Sequence, residues 1–118
     1  MPITVKRIYD APEKSDGYRI LVDRLWPRGI SKDSAHIDEW LKELAPSDAL
    51  RKWFHHDSER WQEFQKRYKA ELDSSALQET LRRLGAMAKK KKVTLLFGAK
   101  DIERNNAAAL ASFIKKML

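Results

Sequence analysis

The stretch Tyr18-Arg-Ile-Leu-Val-Asp-Arg-Leu-Trp-Pro-Arg-Gly29 changes character halfway along its length. Ile20-Leu21-Val22 is the short apolar run expected of a strand covered on both faces. Asp23 and Arg24 follow at once, and Pro27 and Gly29 then stop any regular element. Pro27 lacks an N–H and biases Trp26 toward an extended backbone, while Gly29 permits a turn closed to other residues. Charged groups at the carboxyl end of a buried strand lie where an open α/β sheet usually binds its ligand.

A second buried strand is expected at Val93-Thr-Leu-Leu-Phe97, far along the chain. Helical patterns fill the interval between the two. Ser31 is placed to cap a helical region carrying Ile37, Trp40, Leu41 and Leu44 on one face. Ala45-Pro46-Ser47 breaks that pattern, and a short helix follows with Leu50, Trp53 and Phe54. Asp57 is placed to cap the next helix, whose stripe is Trp61, Phe64, Tyr68 and Leu72. Ser75 with Gln78 reads as a capping box ahead of Leu77, Leu81, Leu84 and Met87. After the second strand, Asp101 is expected to cap a final helix with Ala107, Leu110, Phe113, Ile114 and Met117 inward.

Two buried strands separated by a helical insertion predict a parallel pair joined by a long right-handed crossover. The expected fold is therefore a single α/β domain over residues 1–118, with about three strands packed by four to six helices. Both central strands then end on one sheet edge, which brings Asp23-Arg24 and Lys100-Asp101 together with Arg28 nearby. Ile3 to Tyr9 alternates like a half-exposed strand. Residues 10–17 are short for a parallel crossover, so this first strand is expected either to run antiparallel to the second or not to be its neighbour, with the antiparallel pairing preferred.

Length and composition agree with one cytoplasmic domain. The 118 residues include eleven aromatics and 42% hydrophobic residues, which argues for a packed core. The absence of cysteine excludes a disulfide framework, a thiolate zinc site and a cysteine nucleophile. His36, His55 and His56 lack the spacing of a helical metal pair, so no metal site is expected. The longest strongly apolar stretch is too short to span a bilayer, and Lys6 and Arg7 interrupt any signal-like region. The net charge is +7, and residues 74–118 carry ten basic against three acidic side chains. That basic third, with Arg82, Arg83, Lys89 to Lys92, Lys115 and Lys116, defines a second functional reading as a nucleic-acid-binding surface. No helix-turn-helix, zinc-finger or RNA-binding signature accompanies it.

The residues from Tyr18 to Ile30 closely resemble the most recognisable motif of the DUF488 family, small bacterial and archaeal proteins of unknown function. Asp38-Glu39-Trp40, Ala45-Pro46-Ser47, Leu50-Arg-Lys-Trp-Phe54 and His56-Asp57 extend the resemblance. So do Arg60-Trp61, Thr94-Leu-Leu-Phe97, Ala99-Lys-Asp101 and Asn105-Asn-Ala107, so that it covers nearly the whole chain. It implies an α/β fold but no established reaction. His55 stands where many members of the family have Gly. Longer relatives have a Cys-His-Arg stretch where this chain has Asn105-Asn106, so chemistry that needs that thiol is absent here. Some members have carried a uroporphyrin-III methyltransferase label. This chain has four Gly and no Gly-rich turn after a strand, and it gives that label no support; the cofactor is left unspecified.

The leading expectation is an anion-binding cleft at the carboxyl edge. Arg24, Arg28 and Lys100 would hold a phosphate or carboxylate, aided by the start of the last helix. Asp23 or Asp101 would serve as general base if a reaction occurs there, and Asn105 or Asn106 would orient the substrate. The competing reading is a structural cluster in which Asp23 pairs with Lys100, Asp101 caps its helix, both Asn face solvent, and the domain serves protein interaction. His56-Asp57 is a weaker acid/base pair, because Asp57 already has a capping role.

Overall fold

In a computed structural model that describes residues 3–55 and 57–117, four strands form one parallel sheet. They are β1 (Ile3–Arg7), β2 (Tyr18–Leu21), β3 (Glu39–Trp40) and β4 (Val93–Phe97), in the order β1-β4-β2-β3. The described helices are α1 (Lys32–Ala35), α2 (Asp48–Phe54), α3 (Trp61–Glu71), α4 (Ser75–Lys90) and α5 (Asn106–Met117), with short 3-10 turns between some of them. No helix among the described residues is long and apolar enough to cross a membrane.

The parallel β2–β4 pair is present, with Tyr18 opposite Val93 and Leu21 opposite Leu96. The first strand is not a neighbour of β2, the second of the two arrangements expected, and the preferred antiparallel pairing is not formed: β1 is parallel and lies against β4, with Ile3 opposite Val93 and Arg7 opposite Phe97. Residues 8–17 thus do not join neighbouring strands. They return over the face of β4 to reach β2 two positions away, a span of roughly 10 Å across the sheet. Ten extended residues reach about 33 Å, so no crossover helix is needed.

The second difference lies at 36–41. Ser31 caps one helical turn only, accepting from the Ser34 N–H at 3.1 Å, and His36 ends it in the left-handed region at φ 49°. The chain then forms the edge strand β3, with Glu39 opposite Ile20. The burial pattern explains why. Trp40 packs beside Leu21, Leu96 and Trp26 on one face of the sheet, whereas its neighbour Leu41 enters the main core on the other. Alternation, not a helical stripe, decides this segment.

The main core lies between the sheet face bearing Ile20, Val22, Leu95 and Phe97 and the inner faces of α3, α4 and α5. Phe54 and Phe64 stack at 4.3 Å between ring centroids, and Phe64 continues to Tyr68 at 5.6 Å. Among the described residues, the opposite face has no long helix and is covered by the single turn of α1 and by loops, Trp26 and Trp40 meeting edge-on at 5.3 Å. Beneath the 8–17 strap, that face holds a buried ion pair between Asp16 and Arg19.

Caps shift by small amounts. Ser74, not Ser75, caps α4 through the Leu77 N–H, and Gln78 donates to the Leu72 carbonyl. Asp57 caps a 3-10 turn that runs directly into α3. His55 ends α2 at φ 44°, in the left-handed region that Gly adopts most readily.

Candidate active site at the carboxyl edge of the sheet

Chain geometry brings the ends of β2 and β4 together and packs the start of α5 against both. Asp23 Oδ2 accepts the Gly98 N–H at 2.8 Å, and Asp23 Oδ1 accepts from Asn106 Nδ2 at 3.1 Å. The same Asn106 amide also donates to the Val22 carbonyl at 3.0 Å, tying the first residue of α5 to the end of the central strand. A Cβ on Gly98 would lie 3.0 Å from Asp23 Oδ2, so a residue without a side chain is what lets the carboxylate seat on that N–H. From behind, the Trp40 indole donates to the Asp23 carbonyl at 2.7 Å.

Above this platform opens a cleft of about 280 Å³. Its polar residues include Asp23, Asn105, Asn106 and Arg51, and its walls include Leu25, Pro46, Phe54 and Phe64. Leu25 is largely exposed, so apolar surface lies open at the rim. Arg51 is half-exposed and pairs with Asp48 at 3.1 Å. Near the cleft, the Tyr68 hydroxyl donates to the Leu44 carbonyl, and burial followed by the Asp23 charge pushes the phenol well above its ordinary range.

Of the residues singled out from sequence, Asp23, Asn105 and Asn106 meet in the cleft, while Arg24, Arg28, Lys100 and Asp101 are not part of its lining. Arg24 donates from Nε to the Pro46 carbonyl and from Nη2 to the Ala45 carbonyl, at 3.1 and 3.2 Å. It thereby fixes the wall made by Ala45 and Pro46. Arg28 is exposed on a loop held by a hydrogen bond from the Tyr9 hydroxyl to its carbonyl. Lys100 is exposed immediately after the cleft residue Ala99.

Asp101 does not cap α5. Its Oδ1 accepts the Glu103 and Arg104 N–H groups and shapes the preceding turn. The helix cap is Asn105, whose Oδ1 accepts the Ala108 N–H at 2.8 Å while its amide donates to the Asp101 carbonyl. Asn105 is buried and Asn106 half-buried, so neither simply faces solvent. The sequence reading missed Arg51, and its spacing of three from Asp48 marks only a local surface pair. His56 of the proposed His56-Asp57 pair lies outside the described residues. Among the described residues, no group of three or more His, Cys, Asp or Glu is placed to hold a metal ion.

The basic third is spread from the middle of α4, at Arg82 and Arg83, to the ends of α4 and α5. Arg83 is engaged by Glu39 at 2.8 Å, Lys91 lies over the Tyr18 ring at 4.6 Å, and Lys89, Lys90, Lys115 and Lys116 are exposed.

A family model described as the inactive DUF488-N3 subclade matches residues 2–118. The chain belongs to the DUF488 family. It is similar to YeaO of Escherichia coli strain K12, with 47% identity over 117 residues, covering 99% of this chain and all of YeaO. It is also similar to Rv3073c of Mycobacterium tuberculosis strain H37Rv and Mb3100c of Mycobacterium bovis. Each is 41% identical over 112 residues, covering 95% of this chain and 92% of the relative. All three relatives are described only as uncharacterised proteins. No solved structure matches the chain. Within this DUF488 domain, the Tyr18–Ile30 motif supplies the central strand, the cleft carboxylate Asp23 and the wall-fixing Arg24.

Proposed function

We propose that this DUF488 protein binds a small phosphate- or carboxylate-bearing ligand in the carboxyl-edge cleft and does so without transforming it. The observation that carries this reading is the cleft itself, with an interior organised by Asp23, Gly98 and Asn106, apolar walls, and a cation at Arg51. Pockets of this kind, concave and largely apolar with a few fixed polar groups, are the usual form of small-ligand sites. The Arg51–Asp48 pair is exposed and contributes roughly 0–1 kcal/mol, so a ligand anion can displace it at little cost. Lys100 and Arg28 add positive charge from the flanking loops, and Arg24 contributes by holding the wall.

Binding is favoured over turnover because Asp101 and Asn105 are committed to turn and cap hydrogen bonds. The matching subclade is described as inactive. The nucleic-acid reading has weaker support, since Arg83 and Lys91 are already engaged by Glu39 and Tyr18.

Thermal unfolding with a panel of nucleotides, sugar phosphates, small carboxylates and oligonucleotides tests this. A ligand at a hundred times its Kd adds about 2.7 kcal/mol, a rise of several degrees in Tm for a domain of this size. The rise should appear with a small anion and shrink in both Arg51→Ala and Arg24→Ala. A rise confined to oligonucleotides and unchanged in those variants would move the function to the basic surface, and no rise with any small anion would refute the cleft reading.

A further inference from the structure

We infer that the outer edge of β1 accepts an extended, acidic peptide segment as an added strand, seated in the groove between β1 and α5. This surface shares no lining residue with the carboxyl-edge cleft.

The backbone of β1 leads to this. β1 closes one side of the sheet and is paired only with β4. The Ile8 N–H, just past its end, donates to the Phe97 carbonyl at 2.8 Å. Successive residues of a strand aim their backbone groups to opposite sides, so Thr4 and Lys6 also face β4, while Ile3, Val5 and Arg7 face outward. The Arg7 carbonyl accepts the Asp10 N–H. The Ile3 carbonyl, both backbone groups of Val5 and the Arg7 N–H have no hydrogen-bond partner among the described residues. Edges of this kind are a template for another chain and are usually guarded, often by charge. Here the charged side chains of β1 are turned away. Lys6 reaches Asp16 and the Ala11 carbonyl, and Arg7 reaches the Gly98 and Ala99 carbonyls.

Beside this edge lies an open groove of about 590 Å³. Ile3 and Val5 line it from the sheet, and Ala108 and Ala111 from the helix. The small helix residues leave room for every second side chain of an added strand. Strand addition draws affinity from main-chain hydrogen bonds and selectivity from such alternate side chains. The matching row of N–H and C=O groups is a property of polypeptide, which sets nucleic acid aside for this groove. Lys115 and Lys116 line the same groove, are exposed, and form no ion pair among the described residues. They select acidic residues in the part of the segment that lies beside them. A second copy of this chain, with its net charge of +7 and the same lysines, is the poorer match.

The probe is an end-blocked peptide in which valine alternates with threonine and a short run of glutamates follows. Its controls are the same peptide with lysines for the glutamates, and the same peptide N-methylated at alternate backbone amides. Binding is followed by amide chemical shifts and hydrogen exchange of the full chain. The glutamate peptide should bind saturably and slow exchange at the Val5 and Arg7 N–H groups, which in the free protein exchange faster than Lys6 and Ile8. N-methylation should abolish binding, and the lysine peptide should bind at least tenfold more weakly. Val5→Pro should also abolish it, because the Val5 N–H points away from β4 and proline there removes no ladder bond. The exposed pair Lys115→Glu with Lys116→Glu should erase the preference for glutamate. If Val5→Pro does not fold, the N-methylated peptide makes the same test from the other strand. No binding of the glutamate peptide at millimolar concentration would overturn the inference. So would binding that survives N-methylation or leaves Val5 and Arg7 exchange unchanged, or equal binding of the lysine peptide. Protection of Val5 and Arg7 without peptide, growing with protein concentration alongside dimer in sedimentation, would overturn it in favour of a second copy.

Discussion

Asp16→Ala is expected to destabilise the domain by about 3–5 kcal/mol, read as a lower urea midpoint at unchanged m-value. Asp16 is only 6% exposed and accepts hydrogen bonds from the Glu13 N–H at 3.0 Å, from Lys6 Nζ at 3.1 Å and from the Arg19 guanidinium. Arg19 is 4% exposed, and its Nε and Nη2 donate to the His36 and Ala35 carbonyls. Removing the carboxylate therefore leaves a buried guanidinium without its counter-charge. It also releases the strap over β4 at Lys6. A loss of this size is a large part of the 5–15 kcal/mol that usually holds a domain together.

The same cluster sets a pH window. Burial pushes the Asp16 carboxyl upward, but hydrogen bonds from the Glu13 N–H, Lys6 and Arg19 outweigh it and hold the group below its ordinary value of 3.8. Its contribution is thus present above about pH 4 and lost as pH falls through the depressed value. Burial lowers Lys6, but its bonds to Asp16 and Glu13 outweigh that and raise it above 10.5. The Lys6 contribution is thus present below about pH 10 and lost as pH rises through the elevated value. Wild-type stability should fall on both limbs, and the acid limb should flatten in Asp16→Ala.

Gly17→Ala is expected to cost about 2–4 kcal/mol, from backbone strain of about 1–3 kcal/mol together with a disturbed ladder bond of about 1 kcal/mol. Gly17 has φ 69°, and a Cβ there would lie 2.3 Å from the Lys92 carbonyl oxygen. That oxygen accepts the Tyr18 N–H at 3.0 Å, at the start of the β2–β4 pairing, so the methyl group would wedge the central strands apart. Gly29 is the internal comparison, with φ 79° but nothing within 4 Å of the added atom. Gly29→Ala should cost only the backbone term of about 1–2 kcal/mol. Equal losses in the two variants by chemical denaturation would contradict the steric account.

The central architecture could be read from local pattern because Ile20-Leu21-Val22 and Val93–Phe97 are buried on both faces and too far apart in sequence to form a hairpin. The stripes of α3, α4 and α5 were legible for the same reason, each burying one face against the sheet. Strand β3 was not, because Ile37, Trp40, Leu41 and Leu44 fit helical spacing although Trp40 and Leu41 serve opposite faces. The partner of β1 depends on where the 8–17 strap lands, which is a tertiary choice. At the site, the sheet edge could place Asp23 and Asn106. The turn of Arg24 toward the Ala45 and Pro46 carbonyls, and the arrival of Arg51 at the cleft, follow from how α2 packs and leave no local signature.

The most direct test of the cleft as the ligand site is amide chemical-shift mapping with ethyl phosphate and with pentanoate. Saturable shifts at Gly98, Ala99, Asn106 and Arg51, with Lys89 to Lys92 and Lys115 unmoved, are the predicted result. Shifts confined to those lysines, with Gly98 and Asn106 unchanged at saturation, would contradict the account.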